Sequence, residues 1–272
     1  MRHKVIVLCT TLSLMTAAMA PVAADAASYT IPVSTQSLLT KTNAAADKTQ
    51  SARITSLQGD LTTLLKSEDQ WNERILSLHT KNGETLPALR KQIQQIGLAE
   101  RNRLEQLVAQ TKAKYQPLFQ SYSALNDRIQ AVKALKNKEL NALLRIQADS
   151  MKAAVQLARA DIRSKEASLR DWKNKTAETA KKVRNTLTDM DPIKVQIRAE
   201  KSILSSLKKQ IPTASRNLTD AAKATDAKRT IDALTSLTAI IRDITAHQQK
   251  IYAHEQKIND VISRAQSQIP AK

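Results

Sequence analysis

Three histidines, His79, His247 and His254, are the residues beyond the N-terminal segment best suited to metal binding or acid–base chemistry. His247 and His254 are seven residues apart, which places them on one helix face but about 10 Å apart along its axis, too far to share a metal ion. His254-Glu255 begins like the zinc-binding pattern H-E-x-x-H, but Ile258 occupies the position of the second histidine. We therefore expect histidines that are solvated or flank a packing face, with no metal and no cofactor.

Paired carboxylates do not make a stronger case for catalysis. Asp189 and Asp191 precede Pro192 where a helix would end, so turn formation accounts for them. Glu68 and Asp69 are interpreted as ordinary charges on a helix surface, although Glu68 interrupts a row of apolar residues. Three isolated glycines exclude a G-x-S-x-G elbow, a P-loop and a dinucleotide-binding G-x-G-x-x-G motif. The sequence therefore predicts that the protein is not an enzyme.

Basic side chains are the only signal of a partner. The chain has 43 Lys and Arg against 25 Asp and Glu, a formal net charge of +18. The excess is marked between Arg128 and Arg184, and it predicts many weak, salt-screened contacts with an anionic polymer. A merely solvated helix surface would give the same composition. The candidate polyanion-binding residues are Lys173, Lys175, Lys181, Lys182 and Arg184.

The first 26 residues have the pattern of a signal peptide: a basic start, an apolar stretch and small residues. Cleavage is expected after Ala26 or after Ala20, and Pro21 disfavours the second site. The one cysteine, Cys9, lies in this segment, so the mature chain would have no thiol. No later apolar run is long enough to span a bilayer. We expect an exported protein, whether secreted, periplasmic or attached to the cell surface.

Nucleic acid is not expected as a partner. Export separates the protein from cellular nucleic acid, and the few aromatic residues form no stacking platform for bases.

Composition favours helices throughout. Aromatic residues make up only 3% of the chain, and Ala, Leu, Lys, Arg, Gln and Glu lose little side-chain freedom in a helix. After an extended lead-in over residues 27–34, a first helix is predicted over about residues 35–81. Its apolar positions alternate by three and four, as in a heptad packing face. They are Ile54, Leu57, Leu61, Leu64, Trp71, Ile75 and Leu78, with Glu68 as a gap.

Residues 81–87, with the sequence K-N-G-E-T-L-P, predict a tight turn to a second helix. Asn82-Gly83 is typical of a helix end, Thr85 could cap the next helix, and Pro87 would fall in its first turn. So short a connection between two amphipathic helices predicts an antiparallel hairpin.

The second helix is predicted over residues 86–190 as the central element. A large apolar residue recurs at every eleventh position, or three helical turns, which predicts one line of packing side chains. The row is Ile96, Leu107, Leu118, Ile129, Leu140, Met151 and Ile162. It keeps its spacing across Pro117, which favours one kinked helix over a break at the proline.

Two further helices are predicted over residues 193–210 and 213–265, before a polar tail over residues 266–272. The last helix has a second heptad face, formed by Leu234, Leu237, Ile241, Ile244, Gln248, Ile251, Glu255, Ile258 and Ile262. The predicted fold is all-α, an elongated antiparallel coiled coil or helical bundle built on one long central helix. Self-association through the same faces is equally compatible with the pattern.

These features predict an exported, non-enzymatic coiled-coil protein that acts as a structural, scaffold or adhesive component at the cell envelope. Its expected partner is an anionic envelope polymer or another protein. Two alternatives are a secreted helical toxin component acting on membranes and an accessory binding partner of an envelope complex. A toxin would need an apolar hairpin or a strongly amphipathic insertion segment, and neither is evident in the sequence after residue 26.

Overall fold

The computed structural model describes residues 29–270, and within this part of the chain seven α-helices and no strand occur. The helices are α1 (Val33–Ala45), α2 (Lys48–Gln94), α3 (Leu98–Ala134), α4 (Lys138–Thr188), α5 (Met190–Lys208), α6 (Ile211–Lys223) and α7 (Ala227–Ser267). The predicted all-α helical bundle is confirmed for these residues. The predicted signal peptide over residues 1–26 lies outside them. The lead-in over residues 27–34 ends slightly earlier than predicted, because α1 begins at Val33.

The chain forms two compact units. Within residues 29–270, unit 1 combines the residues up to Glu84 with Val195–Gln256, and unit 2 combines Thr85–Lys194 with the residues from Lys257 to Pro270. The core of unit 1 is built from α1, α2, α6 and α7, with Leu39, Leu61, Leu218 and Ile241 wholly buried in it. Thr42 on α1 donates a hydrogen bond to the Ala222 carbonyl of α6 at 3.1 Å, where α1 packs against α6.

The heptad face predicted near the C-terminus is confirmed, because all nine of its positions, from Leu234 to Ile262, are buried. Residues 213–265 are nevertheless not one helix. α6 ends at Lys223 and α7 begins at Ala227, with Thr225 at a φ of 52° between them. The single helix predicted over residues 35–81 is also divided, because α1 ends at Ala45 and α2 begins at Lys48. Asp47 caps the start of α2 by accepting a hydrogen bond from the Gln50 backbone N–H.

The predicted turn at residues 81–87 is wrong, because α2 runs through it without interruption. The heptad spacing of α2 continues at Asn82, Leu86, Leu89 and Ile93, all of which are buried. Pro87 removes one helical hydrogen bond, but these buried side chains keep the helix in place. Asn82 thus has a packing role in the core and does not end the helix.

Buried polar groups interrupt the core of unit 1 where α2 faces α7. Gln248 Nε2 donates to Glu68 Oε1 at 3.1 Å, and Lys208 Nζ of α5 lies 3.6 Å from the same oxygen. Glu68 is only 2% exposed, so its interpretation as an ordinary surface charge is wrong, whereas Asp69 is exposed as predicted. The carboxylate needs these donors because an unpaired buried charge loses its hydration without compensation.

A second buried carboxylate, Glu255 on α7, is 1% exposed and is held by two residues of α2. His79 Nδ1 lies 2.7 Å from Glu255 Oε1, and Asn82 Nδ2 donates to Oε2 at 2.9 Å. Burial acts to raise the pKa of Glu255, but the hydrogen bonds to His79 and Asn82 outweigh it and hold the pKa below its ordinary value of 4.5. The fold therefore favours the ionised carboxylate.

This lowered pKa predicts a loss of stability in acid. Because folded Glu255 has a lower pKa than unfolded Glu255, its contribution is fully present above pH 4.5 and is lost as pH falls through the folded-state pKa. Urea unfolding across a pH series should therefore show the free energy of unfolding falling less steeply below pH 4.5 in Glu255→Gln than in the natural protein. Equal slopes below pH 4.5 would contradict the assignment.

Unit 2 contains an antiparallel hairpin of α3 and α4. Lys112 pairs with Glu166 at 2.6 Å and Lys173 with Glu105 at 2.8 Å, so residue numbers rise along one helix as they fall along the other. The facing positions follow heptad spacing. They are Leu104, Val108, Thr111, Tyr115, Leu118, Tyr122, Leu125 and Ile129 on α3, and Leu144, Ala148, Met151, Val155, Ala158 and Ile162 on α4.

The prediction of one helix over residues 86–190 is therefore wrong. The chain is continuous across Pro117, as expected, but it breaks at Gly97 and reverses at residues 135–137. The row at eleven-residue spacing is divided among these helices and does not form one packing line. Ile129 is buried, whereas Leu140 is 44% exposed.

Gly97 separates α2 from α3 by adopting a φ of 67°, in the left-handed region that favours glycine. The indole Nε1 of Trp172 on α4 donates to the Gly97 carbonyl at 3.1 Å. A Cβ at position 97 would lie 2.4 Å from Thr176 Cγ2 and 3.0 Å from Trp172 Nε1. Both the backbone conformation and the close approach of α4 therefore require glycine here.

Candidate polyanion-binding surface

The histidines and paired carboxylates singled out in the sequence do not come together into a site. His79 contacts Glu255 and His247 contacts Glu200, in separate places along unit 1. Over residues 29–270, no three His, Cys, Asp or Glu side chains are grouped so that they could hold a metal ion. Asp189 and Asp191 lie around the one-residue interruption between α4 and α5, where Arg264 and Lys194 pair with them at 3.3 Å.

Helix α4 carries the densest positive charge. Its 51 residues include twelve Lys or Arg and six Asp or Glu. Eleven of the twelve basic side chains are exposed, and Lys165 is half-buried. Because α4 packs against α3 along a single face, the rest of its circumference can present these charges to a ligand.

The acidic side chains of α4 are partly neutralised within unit 2. Asp161 accepts a hydrogen bond from Tyr115 at 3.1 Å and lies 3.8 Å from Lys165 Nζ, and Glu166 pairs with Lys112 of α3. On α3, the hydrogen bond from Lys173 lowers the pKa of the half-buried Glu105. Asp161 and Glu166 are thus paired at the contact between the two helices. Glu139, Asp149, Asp171 and Glu178 are exposed, and eleven exposed Lys and Arg outnumber them on the outer surface.

The five candidate residues predicted from the sequence, Lys173, Lys175, Lys181, Lys182 and Arg184, all lie exposed on α4. Lys175 and Lys182 are seven residues apart and share one face, whereas Lys173 and Arg184 share another. Lys173 and Lys175 point to nearly opposite sides, because two residues turn a helix by about 200°. The five residues thus do not share one surface.

A more regular cationic surface lies in the first half of α4, which we call the basic row. It consists of Lys138, Arg145, Lys152 and Arg159, all exposed and separated by seven residues. Seven residues are nearly two turns, so the four charges lie along one side of the helix at intervals of about 10 Å. Arg145 Nε donates to Asn141 Oδ1 at 2.8 Å, which orients its guanidinium group. This row was not predicted from the sequence, although its seven-residue spacing is visible there.

A shallow groove between α3 and α4 adjoins the basic row. Its lining includes Phe119 and Tyr122 of α3 and Ile162, Arg159 and Arg163 of α4. Arg159 belongs to both the groove and the row, so a polymer lying along the row would reach the groove at its far end.

Comparison with known proteins provides no family for this arrangement. The chain matches no protein-family model, no curated protein and no solved structure. None of the helices within residues 29–270 is both long enough and apolar enough to cross a membrane.

Proposed function

We propose that this protein is an exported, non-enzymatic coiled-coil protein that acts as a structural, scaffold or adhesive component at the cell envelope. It binds anionic polymers through the exposed basic side chains of α4. The observation that carries the proposal is the basic row, in which four exposed cations repeat along about 30 Å of one helix side. A charge repeat of this kind suits a linear polyanion, because each contact is weak and the number of contacts provides affinity.

The test is binding to long-chain inorganic polyphosphate over a salt series. We expect a variant with Lys138→Gln, Arg145→Gln, Lys152→Gln and Arg159→Gln to bind at least about tenfold more weakly at low salt, since exposed ion pairs each contribute up to about 1 kcal/mol. The slope of log affinity against log salt should also become shallower, because fewer counterions are released.

A matched control removes the same charge elsewhere. Arg53, Lys66, Lys228 and Lys250 are exposed on α2 and α7, and changing all four to glutamine removes four positive charges without altering the row. We expect this variant to bind nearly as well as the natural protein. Equal weakening by both variants would show that net charge alone attracts the polymer, and the proposed surface would be rejected. A further variant changes the five predicted residues, Lys173, Lys175, Lys181, Lys182 and Arg184, to glutamine. It measures how much these residues contribute to the affinity for polyphosphate.

The two alternative functions predict different outcomes with the same protein. A secreted toxin component would release dye from sealed vesicles, whereas a polymer-binding scaffold would be retained on isolated cell envelopes without causing leakage. An accessory partner of an envelope complex would capture one protein at both low and high salt.

A further inference from the structure

Exposed apolar side chains are concentrated at the end of the α3–α4 hairpin. Leu135 is 78% exposed, Leu143 66% and Ile146 69%, and Leu140 is also exposed. We call these four residues the apolar tip. Single solvent-exposed leucine and isoleucine residues occur on most proteins. Four of them within twelve residues at one end of a hairpin form an apolar patch of the kind that marks a binding surface.

The turn that carries the apolar tip is well braced. Lys136 adopts a φ of 57°, and its backbone N–H donates to the Lys133 carbonyl at 3.1 Å. The Asn137 side chain caps α4 by accepting from the Leu140 backbone at 3.1 Å. Asn141 Nδ2 donates across the hairpin to the Ile129 carbonyl at 2.9 Å. These bonds hold Leu135 outward on a defined turn, so its exposure is a property of the fold.

Positive charge surrounds the apolar tip. Lys133 and Lys136 flank Leu135 in the sequence and are both exposed. Between residues 128 and 148 the one acidic residue is Glu139, against five Lys or Arg. The end of the hairpin therefore combines projecting leucines with nearby ammonium groups, as in protein segments that enter the headgroup region of anionic membranes.

We propose that the α3–α4 hairpin docks end-on onto an anionic lipid bilayer. Leu135, Leu140 and Leu143 lie at the boundary between headgroups and acyl chains, and the long side chains of Lys133 and Lys136 reach back to the lipid phosphates. Leu143 lies about 8 Å along α4 from its first residue, within the depth of 5–10 Å that interfacial segments reach. Anionic lipid satisfies both features of the tip, since it offers apolar chains to the leucines and negative charge to the lysines. A second copy of the chain is a poorer occupant, because tip-to-tip contact would bring like-charged lysines together.

An exposed leucine outside the tip supplies the matched control. Leu157 is 72% exposed on α4 and lies about 21 Å along the helix from Leu143. End-on docking leaves Leu157 in water. A helical partner lying along the outer face of α4 would cover both residues, because Leu143 and Leu157 are 14 residues apart and share heptad phase.

The experiment is co-sedimentation of the full chain with vesicles of phosphatidylglycerol and phosphatidylcholine, and with vesicles of phosphatidylcholine alone. We expect binding to the anionic vesicles only. Leu135→Ser and Leu143→Ser should each weaken it about tenfold, while Leu157→Ser leaves it unchanged. Lys133→Gln and Lys136→Gln should each weaken it about fivefold at low salt and less at high salt. All these side chains are exposed, so thermal unfolding should be unaltered.

Three results would overturn the proposal. Equal weakening by Leu157→Ser and Leu143→Ser would place a helical partner or a second copy along α4. Equal binding to both kinds of vesicle would remove the role of anionic lipid. Binding to soluble poly-glutamate with the same dependence on both tip leucines would assign the tip to an acidic protein. Lys152 and Arg159 of the basic row lie beyond the tip, so variants at these two residues test polymer binding without altering the tip, and the two proposals fail independently.

Discussion

Replacing Gly97 with alanine should lower the free energy of unfolding by about 2–4 kcal/mol, since a left-handed residue with a Cβ is strained and the new methyl meets α4. The added Cβ would lie 2.4 Å from Thr176 Cγ2. Thr176 cannot easily rotate away, because its Oγ1 donates to the Trp172 carbonyl at 2.9 Å. Urea unfolding followed by the fluorescence of Trp172, in a chain carrying Trp71→Phe, measures the loss in unit 2.

Two companion variants separate the causes of this loss. Gly59→Ala adds a methyl inside α2 where nothing lies within 4 Å, so it should stabilise the protein by about 0.5–1 kcal/mol. Thr176→Ser in the Gly97→Ala background removes the clashing methyl but retains the hydroxyl, and it should recover part of the loss. The explanation fails if Gly97→Ala is as well tolerated as Gly59→Ala.

The second large effect is expected at Asn82, where leucine should destabilise unit 1 by about 1–3 kcal/mol, because the buried carboxylate of Glu255 loses one of its two donor residues and keeps only His79. Asn82 Nδ2 donates to Glu255 twice, at 2.9 Å to Oε2 and at 3.0 Å to the backbone carbonyl. The change removes both bonds, while Glu255 stays buried. Unfolding is followed by Trp71, which packs edge-on against Tyr252 in unit 1, in a chain carrying Trp172→Phe.

Replacing His79, Asn82 and Glu255 together should destabilise unit 1 much less than replacing Asn82 alone. A triple variant, His79→Leu, Asn82→Leu and Glu255→Leu, replaces the ion and its donors with apolar side chains of similar size, and we expect it to recover most of the lost stability. Asn217→Leu on the exposed side of α6 is the control and should change stability by less than about 0.5 kcal/mol. A triple variant less stable than Asn82→Leu would show that the polar group is itself stabilising.

The spacing of apolar residues predicted the packing face of α7 correctly, because this face is buried along its whole length. From Leu234 to Ile262 the spacing of three and four never fails, and Gln248 and Glu255 were correctly placed on that face despite their polarity. The same rule extended along α2 would have predicted the helix through Asn82. Local turn propensity was given more weight at Asn82-Gly83, yet tertiary contacts with Glu255 outweigh that preference.

The row at eleven-residue spacing shows how a true pattern can be assigned to the wrong helix. Eleven is the sum of seven and four, so positions of a heptad face also recur at this interval, and the spacing does not distinguish the two repeats. The heptad faces of α3 and α4 were obscured because they include Thr111, Tyr115, Ala148 and Ala158. The two polar residues are accepted there because Thr111 donates to the Leu107 carbonyl and Tyr115 donates to Asp161.

The sequence by itself determined that the described chain is helical and where several packing faces lie, because breaker-poor composition and heptad spacing act locally along one helix. Tertiary structure alone decided where α2 ends and where the chain reverses between α3 and α4. Gly97 ends a helix because Trp172 and Thr176 approach it from α4, and the reversal at residues 135–137 uses a lysine in the left-handed region. That reversal also decides which leucines are buried between α3 and α4 and which project at the apolar tip, since antiparallel pairing covers only one face of each helix.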